Sequence, residues 1–268
     1  MNNITPEDIY DVNKKTGALI LGKNRLDDYA TKFLTKYCKE ALDKPMPLPV
    51  GRIIEKANLS LVEAHLSKDL DVFGCCLLLD SVIEVFDEEG KVSNKKEFSA
   101  GSIIIDPQSP ELLDERLKRI VLIHEVIHWE KDKAYFEILA VKNQSHLNTL
   151  CPIMCKSSKA FFEPSYGKKT MDNETMWLEW QAHRLAPRVL MPFKMFKQKA
   201  SELVSKYSNA CEDNISPCNQ IVTELADFFL VPCLSVKNRL VEVGVVNDMA
   251  LLLDYDSVFD KLNVPRLL

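Results

Sequence analysis

Residues 110–131 read Pro110-Glu-Leu-Leu-Asp-Glu-Arg-Leu-Lys-Arg-Ile-Val-Leu-Ile-His124-Glu125-Val126-Ile127-His128-Trp-Glu-Lys131. Leu113, Leu117, Ile120, Val121, His124, Ile127 and His128 recur three and four residues apart. That spacing predicts one helix from about 111 to 131 with a single buried face. Acidic residues crowd its first turn, where the helix dipole favours negative charge.

Upstream, residues 59–62, 72–79 (VFGCCLLL), 82–86 (VIEVF) and 102–106 (SIIID) predict short strands, with an Asp87-Glu-Glu-Gly-Lys91 turn after the third. Together they make a small antiparallel or mixed sheet. Before it, Tyr29, Phe33, Tyr37 and Ala41 mark an amphipathic helix over 26–42, and the prolines of 44–50 (KPMPLPV) force an extended connector into a short helix near 50–57. Downstream, a loop-rich stretch over 143–172 leads to a second long helix at about 173–190, which ends at Met191-Pro192. Further helices are expected near 193–207, 218–230 and 234–243. Glycine is scarce, 8 of 268 residues, so tight hairpins are few. The fold class is α+β: a mainly helical body with a small N-terminal sheet.

The chain is 46% apolar and 27% charged with a net charge of −5. This composition excludes a disordered chain, a collagen-like repeat and a membrane bundle, and disfavours general binding of DNA or anionic lipid. There is no apolar run of 18 residues, so no transmembrane helix is expected. The start, Met-Asn-Asn-Ile-Thr-Pro-Glu-Asp, lacks the pattern of a signal peptide, and a cytoplasmic location is expected. The eight cysteines contain no CxxC pair and read as reduced thiols, many of them core fillers. Cys151 and Cys155, with His146 upstream, offer three donors of a second metal site; without an obvious fourth ligand they read as a buried pair in a loop. His65, in the strand region, reads as a surface or hydrogen-bonded histidine.

The chemistry lies in His124-Glu125-Val126-Ile127-His128. Residues four apart share a helix face, so both imidazoles can reach one Zn²⁺. Glu125 lies about 100° round the helix, placed to reach a water rather than the ion, as in the metallopeptidase use of this motif. A hydrolytic zinc needs a third protein ligand. The helix at 173–190 supplies Glu179, with Ala182, His183 and Ala186 on the same side and the two alanines small enough to let a neighbouring helix approach. His183 can orient a ligand, stabilise an oxyanion or replace Glu179, and Glu174 is an alternative third ligand on another face. Tyr135 and Tyr166 join His183 as candidate oxyanion donors. Met191 and Pro192 read as a helix end plugging the core, and Trp129, Trp177 and Trp180 read as packing around the two motifs.

His124-Glu-x-x-His128 followed by Glu179-x-x-Ala182-x-x-x-Ala186-x-x-x-Leu190-Met191-Pro192 resembles the ImmA/IrrE metallo-endopeptidases. The resemblance is specific over about 119–192. It implies a gluzincin-like core within residues 1–192, zinc on His124, His128 and Glu179, and Glu125 as general base. Two departures stand out: position 183, usually Asn or Asp, is His, and the segment between the motifs is long and carries cysteines. Residues 193–268 resemble the helix-turn-helix-like region that follows the peptidase helices in that family, with Leu225, Phe229, Val231, Val236, Leu240 and Val245 as its core. Over 219–245, Lys237 and Arg239 face Glu224, Asp227 and Glu242, a net charge of −1, so direct DNA binding is not expected. The implied substrate is a helix-turn-helix transcriptional repressor, cut to release transcription. The competing reading is a zinc-stabilised regulatory module that contacts a repressor or toxin without cutting. The sequence does not fix the oligomeric state.

Overall fold

The computed structural model describes residues 11–13, 16–68, 72–142, 154–156, 174–208 and 216–246. In chain order, β1 (Asp11–Val12) and β2 (Leu19–Ile20) form an antiparallel ribbon, followed by α1 (Leu26–Tyr37), α2 (Glu40–Asp43) and α3 (Val50–Lys56). The expected helix over 26–42 thus breaks after Tyr37, and its last residues form the separate turn of α2. Strands β3 (Ser60–Glu63), β4 (Val72–Cys76), β5 (Ser81–Phe86), β6 (Ser93–Phe98) and β7 (Ser102–Ile105) come next. They lead into α4 (Glu115–Lys142), β8 (Met154–Lys156), α5 (Glu174–Leu190), α6 (Phe193–Ser208), α7 (Ser216–Phe229) and α8 (Cys233–Glu242).

The central sheet has the order β3-β7-β4-β8. β3 runs parallel to β7, with Ser60 opposite Ser102, while β4 is antiparallel to both β7 and β8. The sheet is therefore mixed. Its two inner strands are wholly buried, as expected for apolar runs without alternation. β5 and β6 form a separate hairpin, joined to the end of β3 by a bridge between His65 and Phe86. β6 (SNKKEF) was not expected from the sequence; its polar residues leave it nearly all exposed, so no apolar alternation marks it.

The long helix differs from its expected bounds of 111–131 at both ends. Residues Pro110–Leu113 form a 3-10 turn. Asp114 then accepts the Arg116 N–H at 2.8 Å through its side chain, and the α-helix begins at Glu115. At the far end no Gly or Pro interrupts residues 132–142, and burial of Tyr135 and Phe136 carries the helix on to Lys142. β8 lies within the stretch expected to be loop and adds to the free edge of β4, with Cys155 opposite Gly74. Gly74 is required there: a Cβ would lie 2.8 Å from the Ile104 carbonyl oxygen and 3.5 Å from Val121 on α4.

One cluster of buried apolar residues extends from Ala18 to Val243 and takes in α1, the sheet, α4, α5 and the C-terminal helices. Its C-terminal share includes Leu225, Phe229, Val231, Val236 and Leu240, with Val245 packed against it. Between α7 and α8 the chain turns through Leu230, whose φ of 54° is left-handed. The Val231 N–H returns to the Ala226 carbonyl at 3.1 Å, which closes the end of α7. α8 is tied to the rest by charge. Arg239 pairs with Asp27 of α1 and with Glu242 and donates to the Met191 carbonyl at 3.1 Å, while Arg188 of α5 pairs with Glu242 at 2.6 Å. Cys38, Cys75 and Cys76 are buried thiols outside any disulfide. Among the described residues no helix is long and apolar enough to cross a membrane.

Candidate metal centre

α4 carries His124 and His128 one turn apart, and α5 carries Glu179 and His183 one turn apart, so each pair projects from one helix face. The two helices pack together, and the four side chains meet between them. Nε2 of His128 lies 3.0 Å from Nε2 of His124 and 3.1 Å from Oε1 of Glu179. Oε2 of Glu179 lies 3.4 Å from Nε2 of His124 and 3.3 Å from Nε2 of His183. A tetrahedral ion with bonds of about 2.0–2.1 Å holds its donors roughly 3.3–3.4 Å apart, and the contacts of His124 and His183 with Oε2 of Glu179 have that length. Ligand atoms of His124, Glu179 and His183 all lie within 4.8 Å of one another, and this buried group can hold a metal ion.

The surroundings of His128 suit a ligand. Its Nδ1 lies 2.7 Å from Oδ2 of Asp132, one turn further along α4, and Asp132 is itself paired with the buried Lys131. A carboxylate on the far ring nitrogen fixes the tautomer and leaves Nε2 facing the cluster. Sequence reasoning missed Asp132. Its i, i+4 spacing from His128 was the available signal, but a carboxylate beyond the apolar run reads as an exposed helix residue.

Glu125 lies alongside and is wholly buried. Neither carboxylate oxygen has a partner at hydrogen-bond geometry; burial, reinforced by the Glu179 charge, pushes the carboxyl up to about 8 against the opposing pull of His128 and, more weakly, of the Cys76 backbone N–H on β4. Burial alone would depress His128, but Glu179 and Asp132 outweigh it and push the ring up to about 10. Burial would raise Glu179, but His124 and His128 hold it well below the usual carboxylate range. Burial, with the charge near His124, lowers His183 to about 3. His124 is lowered by burial as well.

Glu174, the alternative third ligand, is committed elsewhere. It accepts from Asn13 Nδ2 at 2.8 Å, from the Thr16 hydroxyl, and from the Tyr135 hydroxyl at 3.2 Å. Tyr135, a candidate oxyanion donor, thus gives its hydroxyl to Glu174. His65 is satisfied by Asp106, 3.2 Å from its Nδ1. Trp177 stacks on Trp180 at 4.7 Å, Trp129 lies under the Lys133 ammonium, and Met191 is fully buried, all packing roles. Tyr166 and the His146–Cys151–Cys155 group lie outside the described residues, apart from the Cys155 backbone on β8.

No protein-family model, no curated protein and no solved structure matches the chain.

Proposed function

We propose that the chain is a zinc-dependent endopeptidase of the ImmA/IrrE type with a gluzincin-like core. One observation carries the reading: Glu125, wholly buried and without a hydrogen bond, stands beside a buried cluster of imidazoles and a carboxylate. A buried carboxylate with no partner is costly, and a reacting water satisfies it. His124, His128 and Glu179 hold the ion, and the mixed nitrogen and oxygen donors at tetrahedral spacing suit Zn²⁺. Zinc in such a place polarises a carbonyl and brings the pKa of a water to about 7.

The remaining work falls to protein groups. Asp132 orients His128. A divalent ion held beside Glu125 would favour its ionised form against the burial that raises it; the carboxylate then takes a proton as the water attacks and returns that proton to the leaving amine. The substrate we propose, on the resemblance alone, is a helix-turn-helix transcriptional repressor. α7 and α8, read as a helix-turn-helix-like element, serve as a protein-docking or structural unit. Their basic side chains do not face outward: Lys237 is 8% exposed and Arg239 1%, which leaves little positive surface for phosphates.

Glu125→Gln is the test. The variant keeps its zinc and loses cleavage of a repressor substrate that the wild type cuts. A zinc-loaded wild type that binds the repressor tightly and leaves it intact overturns the endopeptidase reading. The second reading, a non-catalytic zinc-stabilised module, is favoured by one observation: the group whose ligand atoms lie closest together is His124, Glu179 and His183, with His183 in place of His128.

A further inference from the structure

The Glu179 carboxylate faces two ways. Its Oε1 lies 3.1 Å from Nε2 of His128. Its Oε2 lies 3.4 Å from Nε2 of His124 and 3.3 Å from Nε2 of His183. His183 meets Oε2 from α5, one turn beyond Glu179 itself, and His124 meets it from α4. Both contacts have the length that separates donors around a tetrahedral ion, about 3.3–3.4 Å. His124, Glu179 and His183 are the residues whose ligand atoms lie together as a group able to hold an ion. His128 stands outside that group. Asp132 holds its ring from the far side, and its Nε2 faces the other oxygen of Glu179.

We infer that His124, Oε2 of Glu179 and His183 form a second seat for a divalent ion, overlapping the seat made with His128. This rests on the metal-site reading above and deepens it. His124 and Glu179 belong to both seats, so one ion fills either and not both. Each seat offers two imidazoles and one carboxylate, so the same class of ion fits each. Three protein donors leave a position open in both. A metal displaced from the side of His128 therefore passes to Oε2 and His183 rather than to solvent.

The test is Zn²⁺ binding by the full chain, read by competition with a chromophoric chelator. His124→Ala is expected to lose the ion, since both seats need that ring. His128→Ala keeps one zinc per chain at reduced affinity. His183→Asn alone changes affinity by less than about tenfold, the least that removal of a supporting contact costs. The double variant, His128→Ala with His183→Asn, loses the ion. Where His128→Ala does not fold, His128→Gln, which leaves an amide beside Asp132, carries the same comparison. X-ray absorption is expected to count two imidazoles in the wild type and two in zinc-loaded His128→Ala. Loss of zinc from a folded His128→Ala overturns the second seat and leaves the first standing. Zinc retained by the double variant, zinc lost from His183→Asn alone, or three imidazoles in the wild type overturns the part given to His183. A wild type that binds no zinc overturns the metal-site reading itself.

Discussion

Oδ2 of Asp132 lies 2.7 Å from Nδ1 of His128, and both side chains are buried on the same face of α4. The pair extends the histidine–glutamate cluster along the helix by one turn and fixes the ring that faces both His124 and Glu179. It also draws in Lys131, whose buried ammonium balances the Asp132 carboxylate.

Removing the carboxylate while keeping the shape isolates this contact. Asp132→Asn is expected to weaken zinc binding by about 10–100-fold, as measured by competition with a chromophoric chelator, with the far-ultraviolet circular dichroism unchanged. Zinc affinity equal to that of the wild type would show that Asp132 has no part in holding the ring.

Metal uptake should be linked to protons. In the metal-free chain Glu179 and Asp132 push His128 up to about 10 against the opposing effect of burial, so the ring is charged at pH 7. A ligating imidazole must be neutral, so binding expels a proton. Apparent zinc affinity therefore rises with pH through the neutral range and levels off as His128 loses its proton unaided, near pH 10. Calorimetry in buffers of different ionisation enthalpy counts the protons released. Zero release at pH 7 would contradict a charged His128.

Gly74 tests how closely the sheet approaches its neighbours. A Cβ at this position would lie 2.8 Å from the Ile104 carbonyl, so backbone must move to make room. Gly74→Ala is expected to lower stability by about 1–3 kcal/mol, read from urea unfolding. A neutral substitution would mean that β4 and β7 separate at little cost.

Arg239 is 1% exposed and binds Asp27, Glu242 and the Met191 carbonyl. Truncation strands these partners, but the two carboxylates keep some contact with water, at 34% and 27% exposure. The loss is therefore smaller than for a fully buried pair: about 2–3 kcal/mol for Arg239→Ala. Arg239→Lys should recover only part of it, because an ammonium cannot reproduce the guanidinium fork. Equal stability of Arg239→Ala and wild type by chemical denaturation would show that the network contributes nothing.

The sequence revealed most where a single helix carries the information. His124 and His128 announce themselves at i, i+4 inside an apolar stripe, and Glu179 and His183 repeat the interval on α5. The distances between the helices were not legible, because they follow from tertiary packing. The role of His183 therefore stayed open until its nitrogen was placed beside Oε2 of Glu179. Arg239 and Asp27 stand 212 positions apart, with no local pattern joining them, and the expectation for Arg239 extended only to its charge. Strand β6 escaped because neither of its faces is apolar. Residues 154–156 form a strand through pairing with β4, a long-range partner that a stretch of three residues cannot advertise.

The donors of the cluster come two from each of two helical rods, and this has a thermodynamic consequence. Neither α4 nor α5 alone holds a complete set, and a slip of one residue along either axis, about 1.5 Å, is large beside the variation among the donor distances. An ion that binds the docked pair and not the undocked one shifts the folding equilibrium by mass action. On the proposed metal-site reading, loading with metal and seating of α5 on α4 are a single linked equilibrium, and the melting temperature of the chain would rise with free metal concentration.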